Sequence, residues 1–209
     1  RQTEGLALAP DHALWQLART RNLRLFINTT YDDYLLKTLK RVRNHKVETI
    51  NYTLNRKWST KPDAELFRRL EAGECSLVFN IYGSAARSLA PAYTEKDILE
   101  TIVAFQKDME TDRHNMFFQA LERSNLLFMG CRYHDWLFRF FIRTMSNKSY
   151  STRKGASNRQ FIGDDFPSFP CGDLRRFLMA HGTEVFYSRE NVELAARLFK
   201  EIEANETKY

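Results

Sequence analysis

Apolar positions in this chain fall into two kinds of run, and the two alternate. Short continuous stretches read as buried strands: Leu23-Arg24-Leu25-Phe26-Ile27, Val47-Glu48-Thr49-Ile50, Ser76-Leu77-Val78-Phe79-Asn80-Ile81 and Leu126-Leu127-Phe128-Met129-Gly130. Arg159-Gln160-Phe161-Ile162 and Glu184-Val185-Phe186-Tyr187 read as later strands. Between them, apolar residues recur at helical spacing. Asp11 is the expected N-cap of a helix carrying Leu14, Trp15, Leu17 and Ala18, and 31–42 is a helix with Tyr34, Leu35, Leu39 and Val42 on one face. Lys61-Pro62-Asp63 opens a helix with Leu66, Phe67 and Leu70, which Gly73 closes. Thr94-Glu95-Lys96-Asp97 has capping-box order and starts a long helix through Ile98, Ile102, Phe105 and Met109. Helices follow at 113–122 and 135–145, and near 173–180 and 190–204; the polar, basic stretch 147–158 reads as a mobile loop.

Buried strands alternating with helices predict an α/β domain with a parallel sheet covered on both faces. One domain spanning 1–209 is the economical reading, with a helical insertion or lid over about 84–123.

Composition changes this picture little. With 43% hydrophobic residues, 28% charged, 8 Gly and 5 Pro, the chain reads as ordinary globular protein. No apolar run approaches the roughly 18 residues of a membrane span, and no secretory leader precedes the first helix, so a cytoplasmic location with no membrane partner is expected. The chain begins at Arg1 rather than Met, which is compatible with a piece of a longer protein. Cys75, Cys131 and Cys171 are too few and too scattered for a disulfide framework or a zinc site, so no metal is expected. The net charge of +6 is compatible with nucleic acid, nucleotide phosphates or an acidic partner. Its mild concentrations, at Lys37, Lys40, Arg41, Arg43 and Lys46 and at Arg153 and Lys154, read first as solvated helix and loop surface.

Candidate chemistry lies where the strands end, because open parallel sheets bind ligands outside the carboxyl ends of their strands. Three such ends carry polar residues: Asn28-Thr29-Thr30-Tyr31-Asp32, Tyr82-Gly83-Ser84, and Gly130-Cys131-Arg132-Tyr133-His134-Asp135. Gly83 and Gly130 stand where the backbone turns sharply or approaches a ligand. Thr29, Thr30 and Ser84 are suited to donate to phosphate or ribose oxygens. Each loop alone also has a plain structural reading, in which Thr and Asp cap the next helix and Gly turns the chain.

These three loops, in this order, resemble the SIR2-like family, relatives of the sirtuins found in bacterial defence proteins. The family's I-T-T-N-Y-D motif is similar to Ile27-Asn28-Thr29-Thr30-Tyr31-Asp32; its strand ending in His-Gly to Ile81-Tyr82-Gly83-Ser84; its T-E-x-D/E helix start to Thr94-Glu95-Lys96-Asp97; and its G-x-S-x-x-D to Gly130-Cys131-Arg132-Tyr133-His134-Asp135. The resemblance covers roughly residues 12 to 145. It implies a Rossmann-like fold and an NAD or related nucleotide site built from Thr29, Thr30, Asp32, Tyr82, Gly83, Ser84, Gly130, Arg132 and Asp135.

The departures are chemical. The family's asparagine, used against the nicotinamide ribose, falls on Thr30, and its histidine base falls on Tyr82. A tyrosine, with an ordinary pKa near 10, is a poor base at neutral pH. Asn28, two positions before Thr30, is a candidate partial substitute. Arg132 replaces a serine, which favours a phosphate or carboxylate contact over a ribose contact. The family's opening G-A-G-x-S loop, whose amides cradle pyrophosphate, is absent from the chain.

The resemblance therefore implies a catalytically degenerate module, serving assembly or nucleotide sensing in a defence protein or complex. Other subunits or domains, a TIR-type NADase among the possibilities, or a second copy of the chain would be its partners; Arg139 and Arg143, opposite the apolar face of the 135–145 helix, are suited to an acidic one. Two alternatives stand beside it. One is an active NAD hydrolase with Asp32 or His134 as base. The other is a nucleic-acid-binding module using the basic helix at 37–46 and the loop at Arg153 and Lys154. A deacetylase ranks last, since that activity comes with a four-cysteine zinc module.

Overall fold

The strand Cys75–Asn80 (β3) is buried at every position and organises the amino-terminal half. A computed structural model describes residues 12–44, 46–53, 58–85, 91–112, 115–130, 136–146, 160–164 and 183–187, with single helical positions at 176, 196, 197 and 200. Leu25–Asn28 (β1) and Lys46–Asn51 (β2) pair with β3 on either side, both parallel, giving the order β1-β3-β2. A second parallel sheet has the order β4-β5-β6, from Leu126–Met129, Gln160–Asp164 and Thr183–Tyr187.

Alternate residues of the strands face opposite layers, as the two-residue period of a strand requires. Val78 packs with Ala18 and Leu39, from the helices Ala13–Arg19 (α1) and Tyr34–Val42 (α2), and with Phe26 and Val47. Leu77, Phe79 and Ile81 face the other way. There they meet Ala64–Ala72 (α3), Glu95–Thr111 (α4), Met116–Arg123 (α5) and Trp136–Ser146 (α6) in one large core. An aromatic cluster fills its centre, with Phe79 and Phe117 ring centroids 4.4 Å apart and Tyr52, Trp58 and Phe105 around them. The protein is thus a Rossmann-like α/β domain with helices on both faces of parallel strands. The helices α4 and α5 bury Ile102, Phe105, Met109, Phe117, Phe118 and Leu121 in the main core.

Local signals place most element boundaries. Thr94 and Asp97 form the reciprocal capping box, and main-chain hydrogen bonding at Thr94 holds the Asp97 carboxyl below its usual range. Asp63 caps α3 through the Leu66 N–H, and Gly73 closes it in the left-handed region at φ 77°. The Arg24 guanidinium crosses to the same helix end and donates to the Leu70 and Glu71 carbonyls.

Four expectations need correction. The cap of α1 is His12, whose Nδ1 accepts the Leu14 N–H at 3.2 Å; Asp11 lies outside the described residues. The helix expected from residue 31 begins at Tyr34, because Asn28 holds the intervening chain as a loop. Arg43 is not on a solvated surface but 7% exposed. Trp136, one of the large apolar residues of the helix expected at 135–145, is half exposed at the first position of α6 and not part of a buried face. The 147–158 loop and nearly all of the two last helices lie outside the described residues.

Candidate functional site

Three parallel strands end on the same residue type at the same rung. Asn28 of β1 is in register with Asn80 of β3, and Asn80 with Asn51 of β2. All three side chains are buried. Asn28 Nδ2 donates to Asn80 Oδ1 at 3.0 Å, and Asn80 Nδ2 donates to Asn51 Oδ1 at 2.8 Å.

The direction of this ladder is set by the main chain. Asn28 Oδ1 accepts the Thr30 N–H at 3.3 Å and the Thr30 hydroxyl at 2.9 Å, so its Nδ2 must face the other way. That nitrogen donates to the Thr30 carbonyl at 3.0 Å and the Asp32 carbonyl at 3.4 Å as well as to Asn80. Asn80 must then present its oxygen to β1 and its nitrogen to β2. The chain ends on Asn51 Nδ2, a buried donor with no acceptor among the described residues.

The loop that follows β1 is therefore wrapped around one amide. Asp32 Oδ1 accepts the Tyr34 N–H at 3.0 Å and starts α2. The loop after β3 turns at Gly83, with φ 77°, and is tied to the first loop by the Ala85 N–H donating to the Tyr31 carbonyl at 3.0 Å. The carboxyl end of β4 turns at Gly130, with φ 69°.

A cavity of about 540 Å³ lies between β1 and β4, and Thr29, Thr30, Asp32 and Gly130 all line it. The structure thus brings two of the three predicted loops to one crevice. Tyr82 and Ser84 are buried at 7% and 5% exposure, and with Gly83 they do not line this cavity. The Tyr82 ring packs 6.4 Å from that of Phe141, and its carbonyl accepts the Ala92 N–H at 3.0 Å. Arg132 and Asp135, with Cys131, Tyr133 and His134, lie outside the described residues. Beside the crevice, exposed Tyr31 meets exposed Tyr93 edge to face at 5.3 Å.

Asn80 and Asn51 escaped the sequence reading, although a signal was present. Each of the three strands ends apolar-then-asparagine, as Ile27-Asn28, Ile50-Asn51 and Phe79-Asn80.

The basic helix is less available than its sequence implies. Arg43 donates to the Ala18 and Thr20 carbonyls and to Ser76 Oγ, and stacks 5.1 Å from the Phe26 ring. Burial, with the nearby Arg24 charge, lowers its pKa to about 10. Lys37 pairs with Asp33 at 3.1 Å, and Lys46 with Glu48 at 2.8 Å. Cys75 is a buried free thiol pushed up by burial, as a structural cysteine is. Among the described residues, no group of three or more His, Cys, Asp or Glu is placed to hold a metal ion, and no helix is long and apolar enough to cross a membrane.

The fold and crevice define a Rossmann-like α/β domain with a cleft between two parallel strands. The SIR2-like domain model matches residues 24–186, well over half of the chain, and the protein belongs to that family. A search of curated proteins finds no match.

Proposed function

We propose that this domain receives an NAD-related nucleotide at the carboxyl ends of β1 and β4 without cleaving it, and serves a bacterial defence protein or complex as a sensing or assembly module. The observation that carries this reading is the state of the two positions where the family's working residues stand. Thr30 commits its hydroxyl to Asn28, within a loop that the same amide holds shut. Tyr82, in place of the histidine base, is buried in the core and packed against Phe141. A general base must come within hydrogen-bond reach of the proton it takes, and a buried phenol away from the cleft wall does not.

Neither Asn28 nor Asp32 offers a better route, and His134 lies outside the described residues. The Asn28 amide is fully engaged and has no basic lone pair, and one Asp32 carboxylate oxygen accepts the Tyr34 N–H. What remains suits binding: the Thr29 and Thr30 loop, the left-handed Gly130 turn, and the exposed Tyr31 ring as stacking surface for a base.

The test is calorimetric titration with NAD beside chromatographic detection of released nicotinamide. Heat of binding with no nicotinamide release is the expected result, together with weaker binding in Tyr31→Ala. Release by the wild-type protein that disappears in Tyr82→Phe would overturn the reading.

A further inference from the structure

We propose that the edge of the first sheet where its strands begin is an interaction surface for the phosphate backbone of a nucleic acid duplex. This edge lies at the other end of the strands from the Thr29 and Thr30 loop, so the proposal stands apart from the nucleotide reading of the crevice.

Charge is segregated along the chain that builds this layer. Residues 12–44 hold seven Lys or Arg and two acids, Asp32 and Asp33. Both acids follow β1 and stand at the crevice end, where Asp33 pairs with Lys37 at 3.1 Å. The helix α2 then runs back along the sheet, and its last turn carries Lys40 and Arg41. The helix α1 ends at the same edge, with Arg19 in its last turn and Arg21 just beyond its cap.

Arg43 fastens the two helix ends together. Its Nε donates to the Ala18 carbonyl at 2.9 Å, its Nη2 to the Thr20 carbonyl at 2.8 Å, and its Nη1 to Ser76 Oγ near the start of β3. One buried guanidinium therefore gathers four exposed cations, Arg19, Arg21, Lys40 and Arg41, at a single edge.

Packing accounts for the inner cations and not for the outer ones. Arg43 and Arg24 saturate main-chain carbonyls at the ends of α1 and α3, as cations at helix C-termini do. Arg21, Lys40 and Arg41 make no ion pair or side-chain hydrogen bond among the described residues. The acids of neighbouring elements do not compensate them. Glu48 of β2 is held by Lys46 at 2.8 Å and Arg69 at 2.7 Å. Glu71 and Glu74 belong to the end of α3 and the turn after it, and α3 packs on the opposite face of the sheet. Like charges gathered without counter-charges raise a positive potential that draws a polyanion.

The kind of polyanion follows from what the edge lacks. Protein interfaces draw their affinity from buried aromatic and aliphatic anchors. The large apolar residues exposed among the described residues are Tyr31, Tyr93, Val103 and Trp136, and none of them stands on α1 or in the last turn of α2. Single-stranded nucleic acid calls for exposed rings on which bases stack, and the same absence argues against it. Cations alone are sufficient for sequence-independent contact with duplex phosphates.

The test is fluorescence anisotropy of a labelled DNA duplex of mixed sequence, titrated with the protein between about 50 and about 200 mM salt. Three phosphates neutralised by Arg21, Lys40 and Arg41 give a logarithmic salt slope of about −2.7, an affinity loss of about 40-fold over that range. The triple variant Arg21→Gln, Lys40→Gln, Arg41→Gln should bind about tenfold or more weakly at the low-salt end, with a slope near zero. All three side chains are exposed, so the variant keeps the core intact. Lys96→Gln with Lys107→Gln, on the exposed face of α4, should bind as the wild type does. Duplex binding too weak to detect at the low-salt end overturns the proposal, as does binding that the triple variant retains in full. Binding to labelled polyglutamate with none to the duplex also overturns it, in favour of an acidic polypeptide.

Discussion

Replacing Asn80 by alanine tests whether the asparagine ladder holds the carboxyl ends of the first sheet together. Asn80 is 5% exposed and makes two buried bonds, at 3.0 Å to Asn28 and 2.8 Å to Asn51. Each such bond contributes about 1 kcal/mol net, and a buried polar group left unsatisfied costs about 1–3 kcal/mol. The substitution strands the Asn51 amide entirely, since its Nδ2 has no acceptor to begin with. Asn28 suffers less, because Nδ2 keeps the Thr30 and Asp32 carbonyls. The sum is a loss of about 3 kcal/mol, with the loop after β1 retained. For a domain of this size that corresponds to a melting point lower by about 6–12 °C. Urea unfolding followed by circular dichroism reads the loss directly, at unchanged m-value. A double-mutant cycle with Asn28→Ala should return a coupling of about 1 kcal/mol. A loss below about 1 kcal/mol for Asn80→Ala, or a coupling indistinguishable from zero, would refute the ladder as a stabilising device.

Three other perturbations follow from the same structure. Arg43→Met removes the donor to the Ala18 and Thr20 carbonyls and to Ser76 and should cost about 3 kcal/mol in chemical denaturation; Arg43→Lys should recover less than half, since a point charge cannot replace a planar fork. Gly73→Ala forces a side chain into the left-handed region at φ 77° and sets a Cβ 3.2 Å from the Arg24 guanidinium, so thermal unfolding should show a loss of about 1–2 kcal/mol. The Glu48 carboxyl is held below its usual value of 4.5 by hydrogen bonds from Lys46 and Arg69. A carboxyl depressed in the folded state binds fewer protons there than in the unfolded chain. Its stabilisation is therefore present above about pH 4.5 and lost as the pH falls through the folded value, and Glu48→Gln should flatten the stability profile on that acid side.

Much of the fold was legible because its determinants are local. The Thr94 capping box, the Asp63 cap and the Gly73 closure each depend on residues within one helical turn, and each forms as read. The glycines at 83 and 130 were legible for the same reason, since a strand that must turn at once favours a residue free to take positive φ. Continuous apolar runs marked β3 and β4, because burial on both faces leaves few polar positions along such strands. The order of three loops along the chain was enough to indicate the SIR2-like family, whose domain model spans residues 24–186.

What the sequence could not settle rests on partners distant in the chain. The loop from Asn28 to Asp33 looks like the first turn of a helix until Asn80, 52 positions away, fixes the amide that holds it out of helical conformation. Arg43 reads as one more surface cation, and only the meeting of α1, α2 and β3 gives it three acceptors in the interior. The resemblance sets Tyr82 where the family's motif has its histidine, yet its ring lies in the core beside Phe141 of α6. Likewise, six parallel strands are readable one by one, while their division into two sheets is a property of pairing between strands. Periodicity reports which face of a residue is buried; it does not report which strand lies beside which.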